Sequence, residues 1–270
     1  MKHKIKKFVW GPTKEQRKNF SKKEKQLENL RQLFWAVIIV TILRSSIIES
    51  YRVPTPSMVP TVMNGDFLFV NKFAYGLKLP WPISEGLFDE NVMVWNRPGP
   101  IRGDVIVFKY PNNPEINFIK RVVGLPGDTI EIKDDMVYIN DQPYERTISE
   151  DRSIMKTIGT VGMSMNFDPE TYDLFQEKIE DRTHYSMYYK DYAGNDFFAK
   201  QKIPEGYYFC MGDNRDNSSD SRIWGLVPHK YVKGKAMFVW MSLNADFMGS
   251  FNPMEWDIDF RPYRILKMLN

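Results

Sequence analysis

The chain has 270 residues, enough for one well-buried domain with additional segments, because a single hydrophobic core typically organises about 100–200 residues. Its net charge of +3 hides an asymmetry: residues 1–32 carry eleven Lys or Arg against three acids, a net charge of +8, so the remainder carries −5. A lone cysteine, Cys210, excludes an intrachain disulfide, so a packed core must stabilise the fold.

The N-terminal part of the chain predicts a membrane anchor. The long apolar run 33–48 follows the basic segment directly, and positive residues beside a span normally mark its cytoplasmic side. At about 1.5 Å per residue the run reaches only about 24 Å, which is short, but Trp35 and Tyr51 are placed as interfacial anchors. The alternatives are a nucleic-acid arm, a buried core helix or a signal peptide, the last disfavoured because about thirty residues precede the run. We therefore predict a basic cytoplasmic leader at 1–32 and a transmembrane anchor at 33–50.

Beyond the anchor, short β-rich runs alternate with turn signals, and no 3.6-residue period competes with them. We therefore predict a mainly β fold, with an antiparallel β domain formed by 51–140 and 205–245. Segment 141–204 breaks the pattern and is too long for a plain loop, so we predict an inserted second lobe there and a C-terminal tail at 246–270. The predicted strands are 66–71, 104–110, 117–123, 129–132, 136–139, 207–211 and 236–241.

Three prolines restrict the backbone around a single serine, Ser57, in the segment 51–61. Such stiffness can hold a nucleophile in position, although a serine among prolines is more often a turn residue. A serine nucleophile needs a base, and histidine is the usual one. Here a histidine base is improbable, because His3 lies in the basic leader and neither His184 nor His229 lies in a motif-like setting.

A lysine can replace histidine as the base when burial lowers the pKa of its amine towards neutrality. The strand-like segment 118–124 contains two cations, Lys120 and Arg121, and alternation leaves both of its faces apolar, so periodicity does not choose between them. The chemistry of the two side chains distinguishes them, because a guanidinium is not deprotonated in proteins and only Lys120 could act as a base. The alternative is an edge strand whose cations extend to solvent.

The third candidate segment, 212–222, is a dense polar stretch after a predicted strand. It does not fit a calcium loop beginning at Asp213, since the sixth position is Ser218 rather than Gly and the twelfth is Trp224 rather than Glu. A solvated loop remains an alternative. The interleaved acids, arginines and hydroxyls also suit a self-satisfying network that could orient a catalytic amine.

Taken together, these segments resemble those of bacterial type I signal peptidases, and three long motifs follow in family order. The resemblance covers the anchor, 51–139 and 207–241. The matching motifs are Pro56-Ser57-Met58 with Pro60-Thr61, Gly65-Asp66, Lys120-Arg-Val-Val-Gly-Leu-Pro-Gly-Asp128 and Gly212-Asp-Asn-Arg-Asp-Asn-Ser218-Ser-Asp-Ser-Arg222.

The resemblance implies roles for individual residues. Ser57 would be the nucleophile, Lys120 the general base, and Ser218 the residue that hydrogen-bonds and orients the lysine nitrogen. The oxyanion hole would be formed by the Ser57 backbone N–H and the hydroxyl of Thr55, where many members of the family have serine. Four further residues are expected to shape a polar network around the base: Asp213, Arg215, Asp220 and Arg222.

The resemblance also implies a membrane-bound endopeptidase that removes signal peptides from secreted preproteins and cuts after small residues. It would have one span, a cytoplasmic N-terminus and a catalytic domain on the outer, periplasmic side, and Ser57 follows Ile48 by only nine residues, which keeps the site near the membrane. Expected partners are preproteins and membrane lipid, with no nucleic acid, cofactor or metal; a monomer is expected. The alternatives are a non-catalytic membrane-tethered peptide-binding module and a Ser/Lys regulatory protease.

Overall fold

The computed structural model describes residues 20–46, 48–78, 93–96, 98–158, 168–190, 197–245 and 258–269. Within these ranges the chain divides into two compact units, Met1–Ile47 and Ile48–Asn270. The first unit contains one described helix, and the second contains all the described strands.

The helix of the first unit, α1 (Lys22–Ser46), begins with a capping box. Glu24 N donates to the Ser21 hydroxyl at 3.3 Å, and Ser21 N donates to the Glu24 carboxylate at 2.8 Å. No helix among the described residues has both the length and the hydropathy needed to cross a membrane. The anchor predicted at 33–50 falls largely on α1, and it stays a prediction. Residues 48–50, predicted as part of the anchor, form a strand instead because they pair with 69–71.

The second unit is built mainly from strands, with two short helices. The strands are β1 (Ile48–Arg52), β2 (Asp66–Asn71), β3 (Gly76–Lys78), β4 (Met93–Asn96), β5 (Val105–Tyr110), β6 (Asn113–Gly124), β7 (Thr129–Lys133), β8 (Met136–Ile139), β9 (Gln142–Pro143), β10 (Glu145–Ile148), β11 (Tyr172–Ile179), β12 (Arg182–Tyr189), β13 (Phe198–Lys202), β14 (Tyr207–Met211), β15 (Val227–Pro228), β16 (Val232–Ala245) and β17 (Ile258–Phe260). The helices are α2 (Ser153–Ile158) and α3 (Ser221–Trp224).

The described strands form four sheets, and every pairing between strands is antiparallel. The largest sheet has the order β1-β2-β16-β5-β6-β14-β15, with β17 on β16. The others are β10-β11-β12, β13-β7-β8-β9 and β3-β4. The mainly β, antiparallel fold predicted from the sequence is confirmed.

The largest sheet is covered on both faces, as strand β5 illustrates. Val105 and Val107 pack into one buried cluster with Leu68, while Ile106 and Phe108 pack into another. This division follows from the strand geometry, because successive side chains point to opposite faces. Since Lys120 pairs with Ile106 across β5 and β6, the lysine lies on the face of the second cluster.

Two segments that were predicted to lie apart from the main β domain are joined to it by pairing and packing. Segment 141–204 provides the sheet β10-β11-β12, but its strands β9 and β13 pair with β8 and β7. The described part of the predicted tail, 258–269, adds β17 to β16, and its Leu269 is buried in the same core cluster as Leu68. The division into domain, lobe and tail stays a prediction.

Candidate active site

Ser57 lies in the loop between β1 and β2 and is only 7% exposed. The loop turns tightly, because Val59 N donates to Pro56 O at 3.1 Å and Val62 N donates to Met58 O at 2.9 Å. Met58, Val59 and Val62 are fully buried and fasten the turn to the core. A rigid, anchored turn therefore presents the serine hydroxyl.

Lys120 reaches this hydroxyl from strand β6. Its side chain is 4% exposed, and its Nζ is hydrogen-bonded to Ser57 Oγ. Burial lowers the pKa of Lys120 to about 8, because it penalises the ammonium form, while Asp220 and Asp213 act in the opposite direction. The amine is therefore much more easily deprotonated than an ordinary lysine, and it is placed directly on the serine.

Both side chains open onto a cavity of about 360 Å³ between the Ser57 loop and strand β6. Thr55 lines the same cavity, with its Oγ1 3.5 Å from Ser57 Oγ. From β6 the cavity is lined by 116–120. Among the described residues no strand pairs with this edge of β6 before Arg121, where β14 begins to pair. The cavity thus offers an open strand edge beside the serine.

The 212–222 segment contacts the backbone of the loop that carries Ser57. Asn214 N donates to the carbonyl O of Ser57 at 3.2 Å, and the Asn214 side-chain amide donates to Pro56 O at 3.2 Å. Gly212 is needed for this close approach: a Cβ there would lie 2.4 Å from Ser57 O and 2.2 Å from Ser218 Oγ. The motif thus packs directly against the backbone that carries the serine.

Ser218 is buried beside Gly212, as expected for a residue near the base, but its predicted hydrogen bond to Lys120 is not formed. Within the described part of the chain its hydroxyl makes no hydrogen bond of good geometry, although it is close enough to Asp220 to help lower the pKa of that carboxyl. Lys120 Nζ is directed at Ser57 Oγ instead. The orienting role of Ser218 stays a prediction.

The four residues predicted to form a polar network are buried or nearly so, and each is paired. Asp220 accepts from Nε and Nη2 of Arg222, both at 2.8 Å, and from Gly212 N at 2.9 Å. Asp213 accepts from Nε and Nη2 of Arg121 at 2.9 and 2.8 Å. Arg215 pairs with a residue outside the motif, Glu177 on β11. These contacts fix the segment as a rigid wall of the site.

The sequence did not indicate several hydrogen-bond partners of the buried aspartates around the site. Arg121, considered only as a rejected base, is the counter-ion of Asp213, and Thr61 donates to the same carboxylate at 2.5 Å. Arg264 donates from Nε to Asp66 Oδ1 at 3.0 Å and from Nη2 to Thr61 O at 3.1 Å, just after the serine turn. No local pattern marks these residues, because each partner lies more than fifty positions away.

The buried carboxylates are held ionised by their cations. Burial acts to raise the pKa of Asp213, of Asp220 and of Glu177, but the paired arginines outweigh it and lower all three. His184 lies with Nε2 3.4 Å from Glu177, and burial together with Arg121 lowers its pKa. In the described ranges no group of three or more His, Cys, Asp or Glu side chains could hold a metal ion.

Comparisons with known proteins agree on one family. The family model described as "Signal peptidase, peptidase S26" matches residues 26–241. Signal peptidase I of Pseudomonas aeruginosa is 40% identical over 224 residues, which cover 78% of this chain and 71% of that protein. Signal peptidase I of Buchnera aphidicola subsp. Baizongia pistaciae is 35% identical over 258 residues, covering 84% and 80%.

A crystal structure of a signal peptidase I from Enterococcus faecalis matches 51% of this chain and 97% of that chain at 33% identity, with a TM-score of 0.29. The two curated relatives and the family model each extend over most of the chain. The chain therefore belongs to the signal peptidase I family (peptidase S26), the serine peptidases that remove signal peptides from preproteins.

Proposed function

We propose that this chain cleaves preproteins through an acyl-enzyme, with Ser57 as nucleophile and Lys120 as general base. The main support is the hydrogen bond between Lys120 Nζ and Ser57 Oγ, in a site where both side chains are more than nine-tenths buried. A nucleophile and a base within hydrogen-bonding reach are the signature of covalent catalysis. The pKa of Lys120, about 8, makes a neutral amine accessible near neutral pH.

The reaction proceeds in two balanced halves. In the first, neutral Lys120 Nζ takes the hydroxyl proton while Ser57 Oγ bonds to the scissile carbonyl carbon; the C–N bond then breaks and the leaving amine takes the proton from Nζ. In the second, Nζ accepts a proton from water as the water oxygen bonds to the ester carbon; the bond from that carbon to Ser57 Oγ then breaks, Oγ takes the proton from Nζ, and the carboxylic acid product leaves. Both halves use the same base, and the enzyme is regenerated.

We assign the oxyanion hole to the Ser57 backbone N–H and the Thr55 hydroxyl. The position of Thr55 Oγ1, 3.5 Å from Ser57 Oγ on the wall of the same cavity, supports this role. Ser218 is assigned to orienting Lys120, which its burial beside Gly212 supports. The supporting network consists of Asp213, Arg215, Asp220 and Arg222.

The substrate binds as an extended peptide along the open edge of β6. Main-chain groups of 116–119 are available there to add a strand, as in other peptide-binding sheets. The cavity of about 360 Å³ beside the serine receives the side chains next to the scissile bond, and the motifs shared with the signal peptidase I family support cleavage after small residues. Binding then places the scissile carbonyl between Ser57 and Thr55.

Signal peptidase I enzymes are bacterial membrane enzymes, and we propose that this chain attaches to the cytoplasmic membrane through the part of the predicted anchor that precedes β1, residues 33–47. Leu33, Phe34, Ile39 and Val40 on α1 are between 53% and 61% exposed, as suits side chains that contact lipid. The basic leader would stay in the cytoplasm and the catalytic domain on the outer face. We further propose that the chain is a monomer and binds no nucleic acid. We also propose that the catalytic β domain, the inserted lobe and the C-terminal tail are divided as the sequence predicts.

The catalytic assignment is tested by cleavage of a model preprotein by the purified full-length chain in detergent. Ser57→Ala and Lys120→Ala, checked for folding, should each lower kcat at least about 1000-fold. Lys133→Ala is the matched control, because this lysine side chain on β7 is 52% exposed, and it should cleave at the wild-type rate. Undiminished cleavage by folded Ser57→Ala or Lys120→Ala would refute the mechanism.

Membrane attachment and orientation are tested separately by reporter fusions. A reporter that requires an oxidising compartment, joined after residue 245, should be active, and the same reporter joined at residue 20 should be inactive. The reverse pattern would place the catalytic domain in the cytoplasm and refute the proposed orientation. Release of the chain by alkaline carbonate would refute anchoring by residues 33–47.

A further inference from the structure

One buried ion pair joins the sheet β10-β11-β12 to the 212–222 motif. Glu177 on β11 is 1% exposed, and its Oε2 accepts a 2.5 Å hydrogen bond from Nη2 of Arg215. Its Oε1 accepts a 2.7 Å hydrogen bond from the Ser186 hydroxyl on β12. Loss of one partner would leave the other charge buried without a counter-ion, which proteins tolerate poorly.

Arg215 transmits this constraint to the backbone beside the serine. Its Nε donates to Gly212 O at 3.2 Å, and its Nη1 donates to the Tyr188 hydroxyl at 2.7 Å. Gly212 in turn packs so closely against Ser57 O that no Cβ fits between them. A shift of the Arg215 side chain therefore moves the wall against which the nucleophile rests.

The neighbouring strand holds the next two residues of the motif. Met187 N donates to Asp213 O at 2.8 Å, and Met187 forms a parallel β-bridge with Asn214. Asn214 N donates to Ser57 O at 3.2 Å. The three-stranded sheet thus reaches the Ser57 backbone by two routes, one through the Glu177 side chain and one through the backbone of β12.

We propose that Glu177 is a positioning residue for the reaction, so that strands β11 and β12 support the catalytic apparatus; this inference rests on the Ser57–Lys120 mechanism proposed above. Glu177 contacts neither the substrate cavity nor Ser57 and acts through Arg215. Without the carboxylate charge, Arg215 loses its anion, and the Gly212 carbonyl that it holds shifts. A displacement of about 1 Å near a nucleophile can cost about 100-fold in rate.

Glu177→Gln in the full-length chain tests the proposal, because it removes the charge and preserves the shape. We expect kcat to fall about 10- to 100-fold while KM changes less than about twofold, since the cavity wall formed by Thr55 and β6 is untouched. Glu145→Gln is the matched control: it makes the same change in the same sheet at a side chain 78% exposed, and its kcat should equal that of the wild type.

A second variant separates positioning from stability. The double substitution Glu177→Leu/Arg215→Met removes both charges, and such replacements of a buried pair often preserve stability. A melting temperature equal to that of the wild type with kcat still lowered at least tenfold supports the proposal. A wild-type kcat in this variant or in folded Glu177→Gln overturns it, as does a rise in KM that accounts for the whole loss.

Failure of the positioning role is distinguishable from failure of the mechanism. If Ser57→Ala is inactive while folded Glu177→Gln cleaves at the wild-type rate, only the role of Glu177 is refuted. If Ser57→Ala still cleaves, the nucleophile assignment itself is refuted, and the role of Glu177 falls with it.

Discussion

The base must be uncharged to accept the serine proton, so the cleavage rate should rise with pH through the pKa of Lys120. Burial lowers that pKa to about 8. A group with this pKa is about 10% neutral at pH 7 and about 90% neutral at pH 9, whereas a lysine of pKa about 10.5 is only about 0.03% neutral at pH 7. We therefore expect kcat/KM to increase about tenfold between pH 7 and pH 9 and then to level off.

The assay is kcat/KM for a peptide substrate from pH 6 to pH 10 at constant ionic strength, because this parameter reports the ionisations of the free enzyme. The variant Asp220→Asn tests the direction in which Asp220 shifts the pKa of Lys120. Since Asp220 raises the pKa of Lys120, its neutralisation should move the half-maximal pH below that of the wild type. A rate that keeps rising about tenfold per pH unit up to pH 10, without levelling off above pH 9, would refute the claim that burial prepares the base.

Four further predictions concern the site and its supports. Lys120→Met should raise the free energy of unfolding at pH 7 by up to about 3 kcal/mol, because the pKa of Lys120 in the folded state lies below the unfolded value of 10.5 and a charged, buried lysine destabilises the fold. The wild-type lysine becomes neutral as the pH rises from about 8 to 10.5, so the difference in unfolding free energy between variant and wild type, measured by urea denaturation, should disappear over that range. Thr55→Val should lower kcat about 100-fold and Thr55→Ser should not, and equal kcat values for the two would remove Thr55 from the oxyanion hole. Gly212→Ala should lower kcat at least tenfold, because its Cβ would lie 2.4 Å from Ser57 O, and wild-type kcat would contradict the close approach. Arg264→Met should lower the free energy of unfolding by about 3–5 kcal/mol, since Asp66 would stay buried without its guanidinium; a urea midpoint equal to that of the wild type would contradict this.

The strands of the largest sheet were predictable because their burial follows from local pattern. Strands β2 and β14 of that sheet occupy the predicted ranges 66–71 and 207–211, and β8 of a second sheet occupies 136–139. Strands β11 and β12 were not predicted, since their sequences mix Tyr, His and Glu with apolar residues. The burial of Glu177 depends on Arg215, thirty-eight positions away, and no local period records such a partner.

The candidate site was predictable as far as side-chain chemistry could decide it. Only Lys120 of the two cations on β6 can lose its proton, and that distinction selected the residue that the structure places on Ser57. Arg121 was set aside for the same reason, and its pairing with Asp213 could not be read from the sequence. The absence of a hydrogen bond between Ser218 and Lys120 could not be predicted either, because a sequence motif indicates which residues lie close together but not how their side chains are oriented.

The pairing of Arg264 with Asp66 joins residues 198 positions apart, and it therefore has a consequence for the order of biosynthesis. At about 5–20 residues per second, about 10–40 s pass on the ribosome between the synthesis of the two partners. Throughout that interval the nascent turn that carries Ser57 lacks the cation that neutralises the carboxylate at its end. The ion pair at the end of the Ser57 turn can therefore form only after nearly the whole chain has been synthesised.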